Sequence, residues 1–154
     1  MGQTQLEILI HLMSWAMALT GYECPDTMPQ IVYADHNHFV EVVCDGVDTE
    51  RDSCGVRAYY NDEDDARIYL NTKYYEINGE WSPEERGIIL HEMVHYLQDM
   101  SGKWDGYLEW NDDKLCVERQ FRQREAYETQ DIYMKRVYGI ERKIPRYYDN
   151  CGNN

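Results

Sequence analysis

A helix with a clearly marked start is the feature that most constrains how this chain folds. Residues 82–85, Ser-Pro-Glu-Glu, combine an N-cap serine, a proline at the first helical position and a glutamate three residues after the cap. Together these residues form the signature of a capping box. We therefore predict a helix that begins at Pro83, runs to about Met100 and stops at Ser101 and Gly102.

Inside this predicted helix, residues 91–95 carry the pattern HExxH. His91 and His95 are one helical turn apart, so their imidazoles share a face and could bind one Zn²⁺ at about 2.0–2.1 Å. Glu92, about 100° round the helix, is placed to act as general base on a water whose pKa zinc lowers toward about 7. The apolar residues gather on the opposite side of the helix, which predicts that the histidines face a cleft. The alternative is a solvated or core histidine pair that binds nothing.

The rest of the chain predicts an α+β domain with a small sheet and a long C-terminal helix. Periodicity, caps and turn residues indicate a helix at about 4–20 that ends at Gly21, a strand at 31–33, a short helix at 38–44, strands at 56–60 and 67–70 that pair as a hairpin, and a helix from about 112 that ends near Gly139. The acidic loop at 61–66 lacks the ligand spacing of an EF-hand and is interpreted as a solvated turn.

Length and charge limit the class of protein. The 154 residues, 43% of them hydrophobic, suit a single domain over residues 1–154. The net charge of −14 argues against a nucleic-acid partner. The apolar segment at 6–19 lacks the basic start of a signal peptide and is too short to span a bilayer, so we interpret it as a core helix and predict no membrane anchor.

Cysteine usage gives a prediction about the compartment. The five cysteines are an odd number and include no CxxC pair. We interpret them as free, mostly buried thiols in a reducing compartment, which predicts a cytoplasmic protein. A bridge between Cys44 and Cys54 is the alternative if the protein is secreted.

The stretch at 91–98 resembles the zincin metallopeptidases. That resemblance implies a helix with HExxH beneath a small, mostly antiparallel sheet, whose edge strand aligns the substrate backbone. More closely, the chain is similar to an uncharacterised family of small bacterial and phage-borne zincin-like proteins. The similarity lies in Thr-Gly-Tyr at 20–22, the strand at 68–70, the stretch at 91–98, Glu-Ala-Tyr at 125–127, and Gln130.

A catalytic zinc ion needs a third protein ligand beside the two histidines. The metzincin pattern would place a glycine and a histidine three and six residues after His95, but Gln98 and Ser101 stand there. The resemblance to the other zincin branch, the gluzincins, instead implies a glutamate from a later helix.

Two glutamates of the last helix qualify, because Glu118 and Glu125 share one side of it. We prefer Glu125, since the small Ala126 beside it permits close approach to a neighbouring helix. Gluzincins commonly place the liganding glutamate three residues before a small residue, and here that position holds Gln123, whose neutral amide is a poor zinc ligand. Gln123 and Asp99 remain alternatives.

The sequence thus predicts a zinc-dependent hydrolase, most closely a metallopeptidase. His91, His95 and Glu125 would hold Zn²⁺, and Glu92 would act as base and then as acid to the leaving amine. A chain this short suggests a peptide or protein substrate in a shallow cleft, or a protein partner that completes the cleft.

Two alternatives remain open at this stage. One is a catalytically inactive zincin-fold module that binds a host or phage protein through the aromatic loop at 104–110; the other is an amidase acting on cell-wall peptides. Tyr96 and Tyr127 are the tyrosines nearest to the ligands and are candidates to steady the oxyanion. His36 and His38 are interpreted as surface histidines.

Overall fold

The computed structural model describes residues 4–62, 66–103, 109–142 and Cys151. The elements in chain order are α1 (Gln5–Thr20), β1 (Gln30–Ala34), α2 (His36–Val42), β2 (Ala58–Asn61), β3 (Arg67–Asn71), α3 (Pro83–Met100) and α4 (Asp112–Tyr138). The predicted α+β fold class is confirmed. Residues 63–65 of the acidic loop and residues 104–108 of the aromatic loop lie outside the described part of the chain.

The helix ends are determined by local hydrogen bonds. The predicted capping box of α3 is present: the Glu85 N–H donates to Ser82 Oγ at 3.2 Å, and the Ser82 N–H donates to the Glu85 carboxylate at 2.9 Å. Gly139 ends α4 with a left-handed φ of 69°, as predicted. The short helix α2 begins two residues earlier than predicted, because the Asp35 side chain accepts the His38 N–H at 2.9 Å and caps it.

The sheet has three strands in the order β1-β3-β2. The predicted hairpin is confirmed, since β2 pairs antiparallel with β3 from Ala58–Leu70 to Asn61–Arg67. β1 pairs parallel with β3, from Gln30–Arg67 to Ala34–Asn71. The prediction of a mostly antiparallel sheet is therefore wrong, and the sheet is mixed. The hairpin is encoded in neighbouring residues, whereas the β1–β3 pairing joins distant segments whose direction no local turn specifies.

Helix α3 lies at the centre of the fold, in contact with α1, α4 and strands β2 and β3. Its apolar side chains Leu90, Met93 and Val94 are fully buried and belong to one core cluster with Ile8 of α1 and Ile68 of β3. Burial of each such side chain contributes roughly 1.5–3 kcal/mol to the free energy of unfolding. The predicted core role of the first helix is confirmed by this packing.

Small residues let α4 lie close to α3. A Cβ atom at Gly87 would approach Met134 Sδ to 2.7 Å, which is closer than real contacts allow. Ala126 of α4 is fully buried. The two helices therefore pack closely over the turn that precedes His91, and this packing orients α4 toward the histidines.

The cysteines are paired rather than free. Disulfide bonds join Cys44 to Cys54 and Cys116 to Cys151, with Cα atoms 5.9 Å and 5.5 Å apart. Cys24 is a free, exposed cysteine. The interpretation of five free, mostly buried thiols is therefore wrong, because pairing depends on tertiary proximity that cysteine spacing does not reveal.

We expect the double substitution Cys44→Ser, Cys54→Ser to lower the free energy of unfolding by roughly 2–3 kcal/mol. The bridge closes a loop with a sequence separation of 10 residues, and its loss increases the entropy of the unfolded chain. Urea unfolding of the oxidised protein measures the change, with Cys24→Ser as the matched control that leaves the midpoint unchanged. Equal midpoints for the double variant and the wild type would contradict this bridge.

Among the described residues, no helix is both long and apolar enough to cross a membrane.

Candidate metal centre

His91 and His95 meet at their Nε2 atoms, which lie 3.2 Å apart on one face of α3. Only 6% of His91 is exposed. The face that carries the pair is covered by α4, and both histidines line a cavity of about 780 Å³ together with Glu92. The structure thus brings together the three residues of the motif that sequence reasoning singled out.

A third polar atom, Oε1 of Gln123, completes the group. It lies 3.1 Å from His91 Nε2 and 3.2 Å from His95 Nε2. The three atoms form a nearly equilateral triangle. In a tetrahedral zinc site with ligand bonds of about 2.0–2.1 Å, neighbouring ligand atoms lie about 3.3–3.4 Å apart. The three donor atoms therefore fit three corners of such a site.

Hydrogen bonds on the far side of His95 determine which nitrogen carries its proton. Arg122 Nε donates to Gln98 Oε1 at 3.3 Å, and Gln98 Nε2 donates to the Arg122 carbonyl and to Glu125 Oε1, each at 3.0 Å. Arginine only donates, so Gln98 Oε1 is an acceptor, and His95 Nδ1 at 2.9 Å must donate to it. Burial lowers the pKa of His95 to about 4, so the ring is neutral. Its Nε2 lone pair points toward the centre of the site.

His91 is held in the same way by a second glutamine. Its Nδ1 lies 3.1 Å from Gln130 Oε1, and the tautomer that donates its N–H to this oxygen leaves a lone pair on Nε2. In this tautomer, the lone pairs of the two imidazoles and the Gln123 amide oxygen converge on one point, where a bound cation would stabilise them. Metal-binding histidines almost always donate their second ring N–H to an oxygen acceptor in this manner.

The three α4 residues at His91 share one helix face. Gln123, Tyr127 and Gln130 follow the i, i+4, i+7 spacing that aligns side chains along a helix. The Tyr127 ring centroid lies 4.3 Å from that of His91. Sequence reasoning placed Gln123 among the alternatives but missed Gln130 and Gln98 as partners of the histidines. The helical spacing of the α4 residues was the available signal.

Glu125 does not join the two histidines. It lies two residues beyond Gln123, about 200° round the helix, and its Oε1 accepts hydrogen bonds from Tyr22 Oη at 2.6 Å and Gln98 Nε2 at 3.0 Å. The preferred third ligand of the sequence prediction is therefore placed behind Gln98, the residue that orients His95. The side chain that the structure brings to the pair is Gln123.

The other candidates for a third ligand lie elsewhere. Asp99 accepts a hydrogen bond from Tyr60 Oη at 2.6 Å. Glu118 is not among the residues that line the cavity. Within the described ranges, no group of three His, Cys, Asp or Glu side chains could hold a metal ion.

Glu92 is buried beside the pair, with 9% of its surface exposed. Burial raises the pKa of its carboxyl group to about 8, and a hydrogen bond from the Tyr60 backbone N–H opposes that rise. Tyr60 belongs to β2, the edge strand that lines the same cavity. Buried carboxyl groups in polar cavities are typical of proton-transfer sites.

Other residues singled out from the sequence have structural partners. Tyr96 is buried and its hydroxyl donates to the Thr27 carbonyl, whereas Tyr127 lines the cavity.

The histidines of α2, His36 and His38, were interpreted as surface residues but are partly buried and paired. Nε2 of His36 lies 3.0 Å from Asp48 Oδ2, and Nε2 of His38 lies 2.6 Å from the Tyr59 hydroxyl. Their partial burial under tertiary partners is not visible in local spacing.

Comparison with known proteins identifies one family. A family model described as a domain of unknown function (DUF6647) matches residues 1–144, a range that includes all seven elements and every residue of the candidate centre. Neither the curated proteins nor the solved structures include a match to this chain.

Proposed function

Because the chain belongs to the DUF6647 family, whose description assigns no function, we propose an activity from the geometry of the candidate centre. The protein is a zinc-dependent hydrolase of the metallopeptidase type, which cleaves peptide or related amide bonds. This proposal keeps the zincin-like resemblance of the HExxH stretch and replaces Glu125 by Gln123 as the third donor.

One observation carries the proposal: two imidazole nitrogens and an amide oxygen converge beside a buried carboxyl group. His91, His95 and Gln123 would hold the ion with their Nε2 and Oε1 atoms, which lie 3.1–3.2 Å from one another. Gln130 and Gln98 fix the outer nitrogens of the two imidazoles. A purely structural histidine pair would be stabilised by donor–acceptor hydrogen bonds. Acceptor atoms that face one another are stabilised only when a cation lies between them.

Residues of the cavity would act as general base, align the substrate and stabilise the oxyanion. A zinc ion at this point would activate a water molecule and polarise the carbonyl group of the substrate. The ionised form of Glu92, which its pKa of about 8 makes the minor form at pH 7 and the major form above pH 8, accepts the proton of the attacking water and delivers it to the leaving amine. β2 lies at the edge of the sheet and lines the cavity, so an extended peptide could pair with its backbone as an added strand. Tyr127 is the cavity tyrosine next to His91 and is the candidate donor to the developing oxyanion.

Zinc stoichiometry tests the proposal directly. We expect purified wild-type protein to retain about one zinc ion per chain after dialysis, because three donors are already oriented. His95→Ala should lose stoichiometric zinc, while the matched control His11→Ala, at an exposed position of α1, keeps it. Elemental analysis of dialysed samples measures both. Wild-type protein that carries no zinc after dialysis in zinc-containing buffer would contradict the proposal.

The second candidate function is an inactive zincin-fold binding module. The neutral amide of Gln123, in a position where a carboxylate would bind zinc more strongly, favours it. The presence of the Glu92 carboxyl group inside the cavity favours the enzyme. A protein partner that completes the cleft is compatible with either candidate.

The disulfide bonds bear on the compartment. Disulfides persist in oxidising surroundings and are rare in reducing ones, and the chain forms two. We propose that the protein works in an oxidising compartment, which replaces the cytoplasmic location predicted from the cysteine count. The expected substrate is a peptide or protein, and the net charge of −14 disfavours nucleic acid.

A further inference from the structure

The cavity around the candidate centre has two walls of different chemistry. Val43, Val56, Ala58 and Tyr59 form an apolar and aromatic wall on the side of the sheet and α2. The opposite wall is α4, which contributes polar and basic side chains, among them Arg119, Gln120 and Arg122. A molecule that fills the cavity therefore meets apolar surface on one side and positive charge on the other.

The arginines on the α4 wall contrast with the charge of the whole chain. Acidic residues outnumber basic ones 29 to 15 in the sequence. The acidic residues lining the cavity are Asp62 and the buried Glu92, and both line it outside α4. Every charged side chain that α4 adds to the cavity is thus an arginine. The α4 wall of this cavity thus presents positive charge in an otherwise anionic protein, and a local positive surface attracts anionic ligands.

The two arginines differ in their surroundings. The Nε atom of Arg122 donates to Gln98, so this residue is tied to the group that orients His95. Arg119 is exposed and precedes Gln123 by one helical turn, which is about 6 Å along the helix axis. One residue of an extended peptide spans at most about 3.3–3.6 Å. A group held by Arg119 therefore lies about two residues from an amide bond placed at the candidate centre.

We infer that the substrate carries a carboxylate within about two residues of the bond that is cleaved, and that Arg119 binds this carboxylate. This inference rests on the proposed function. Arginine matches the planar geometry of a carboxylate and can bind both of its oxygens. The side chain next to the carboxylate packs on the apolar wall. The carboxylate is either the free C-terminus of a peptide or the side chain of Asp or Glu.

Binding measurements on an inactive variant test this inference without requiring hydrolysis. The probe is N-acetyl-Ala-Ala-Phe, as the free acid and as the C-terminal amide, titrated calorimetrically into zinc-loaded Glu92→Gln protein. We expect the acid to bind about tenfold more tightly than the amide, because charge-assisted hydrogen bonds to a carboxylate contribute at least that factor. Added salt should reduce the preference, since Arg119 is exposed.

A substitution in the same protein assigns the preference to Arg119. In the Glu92→Gln background, Arg119→Gln should bind acid and amide equally, while Arg124→Gln, an identical change at an exposed α4 position that does not line the cavity, keeps the tenfold ratio. A preference that survives in Arg119→Gln would place the carboxylate elsewhere, for example on the metal, and would overturn the inference. Absence of binding by either form of the peptide at millimolar concentration would overturn it as well.

A second pair of peptides distinguishes the two sources of the carboxylate. N-acetyl-Ala-Asp-Phe-amide and N-acetyl-Ala-Asn-Phe-amide differ only in a side-chain charge. Tighter binding of the Asp peptide assigns the subsite to acidic side chains, whereas a preference confined to the free acid assigns it to a C-terminus. Failure of the proposed hydrolysis is a separate result. If the protein shows the Arg119-dependent preference but the wild type cleaves neither peptide, the carboxylate subsite is supported and the proposed hydrolytic activity is contradicted.

Discussion

Glu92→Gln should lower kcat/KM for amide hydrolysis by about 10²–10⁴-fold while the protein keeps its zinc. Glutamine has the shape of glutamate but cannot accept the proton of the attacking water. The donor atoms of the centre belong to His91, His95 and Gln123, so the metal should remain. The Tyr60 backbone N–H that donates to the Glu92 carboxyl group can donate equally to an amide oxygen.

Three measurements on the same preparations check this expectation: kcat/KM on a cleaved peptide, the zinc content, and the thermal midpoint. Glu118→Gln is the matched control, because the same change on α4 lies outside the cavity lining and should leave all three values unchanged. Unchanged hydrolysis in Glu92→Gln would remove the general base from the mechanism and favour the inactive binding module. Loss of zinc in that variant would instead show that Glu92 supports the metal.

Gln123→Glu should raise zinc affinity by about tenfold or more, which corresponds to about 1.4 kcal/mol. The substitution places a negative charge where the amide oxygen now lies, 3.1 Å and 3.2 Å from the two Nε2 atoms. Opposite charges about 4 Å apart attract by several kcal/mol even at an effective dielectric constant near 20, and desolvation of the new carboxylate offsets part of that gain. Competition with a chelator of known zinc affinity measures the change.

Alanine variants of the same helix distinguish a ligand from its support. Gln123→Ala should lose zinc most strongly, because it removes a donor atom. Glu125→Ala should lower the affinity by about 10–100-fold, the usual effect of a residue that orients a ligand, since Glu125 holds Gln98 and Gln98 holds His95. Glu118→Ala should retain wild-type affinity. Stronger loss in Glu125→Ala than in Gln123→Ala would restore Glu125 as the ligand.

Much of the candidate centre could be predicted because its HExxH residues lie within five positions of one helix. The capping box at Ser82 determines where α3 begins, and the four-residue spacing of His91 and His95 puts both rings on one face of any helix. The start of α4 after Asn111 and its end at Gly139 are likewise visible as caps. Such features depend on residues within one or two turns of each other, and their energies do not need the rest of the fold.

The choice between Glu125 and Gln123 depended on how α4 is rotated about its own axis. Sequence periodicity divides the helix into sides, but several polar side chains lie near the border between them. The buried Ala126 and the approach of Met134 to Gly87 set that rotation, and they turn the face of Gln123 toward α3. Glu125 then faces Tyr22, a residue 103 positions away in sequence. Neither contact can be read from the helix alone.

The amino-acid sequence by itself determined the three long helices with their ends, the hairpin and the HExxH face, because each follows from hydrogen bonds and side-chain spacing among near neighbours. Tertiary structure alone decided the parallel pairing of β1, the two disulfide bonds, the partners of Gln98 and Gln130, and the third donor at the histidine pair. These features join segments that are distant along the chain, and only packing of the whole core brings such segments together.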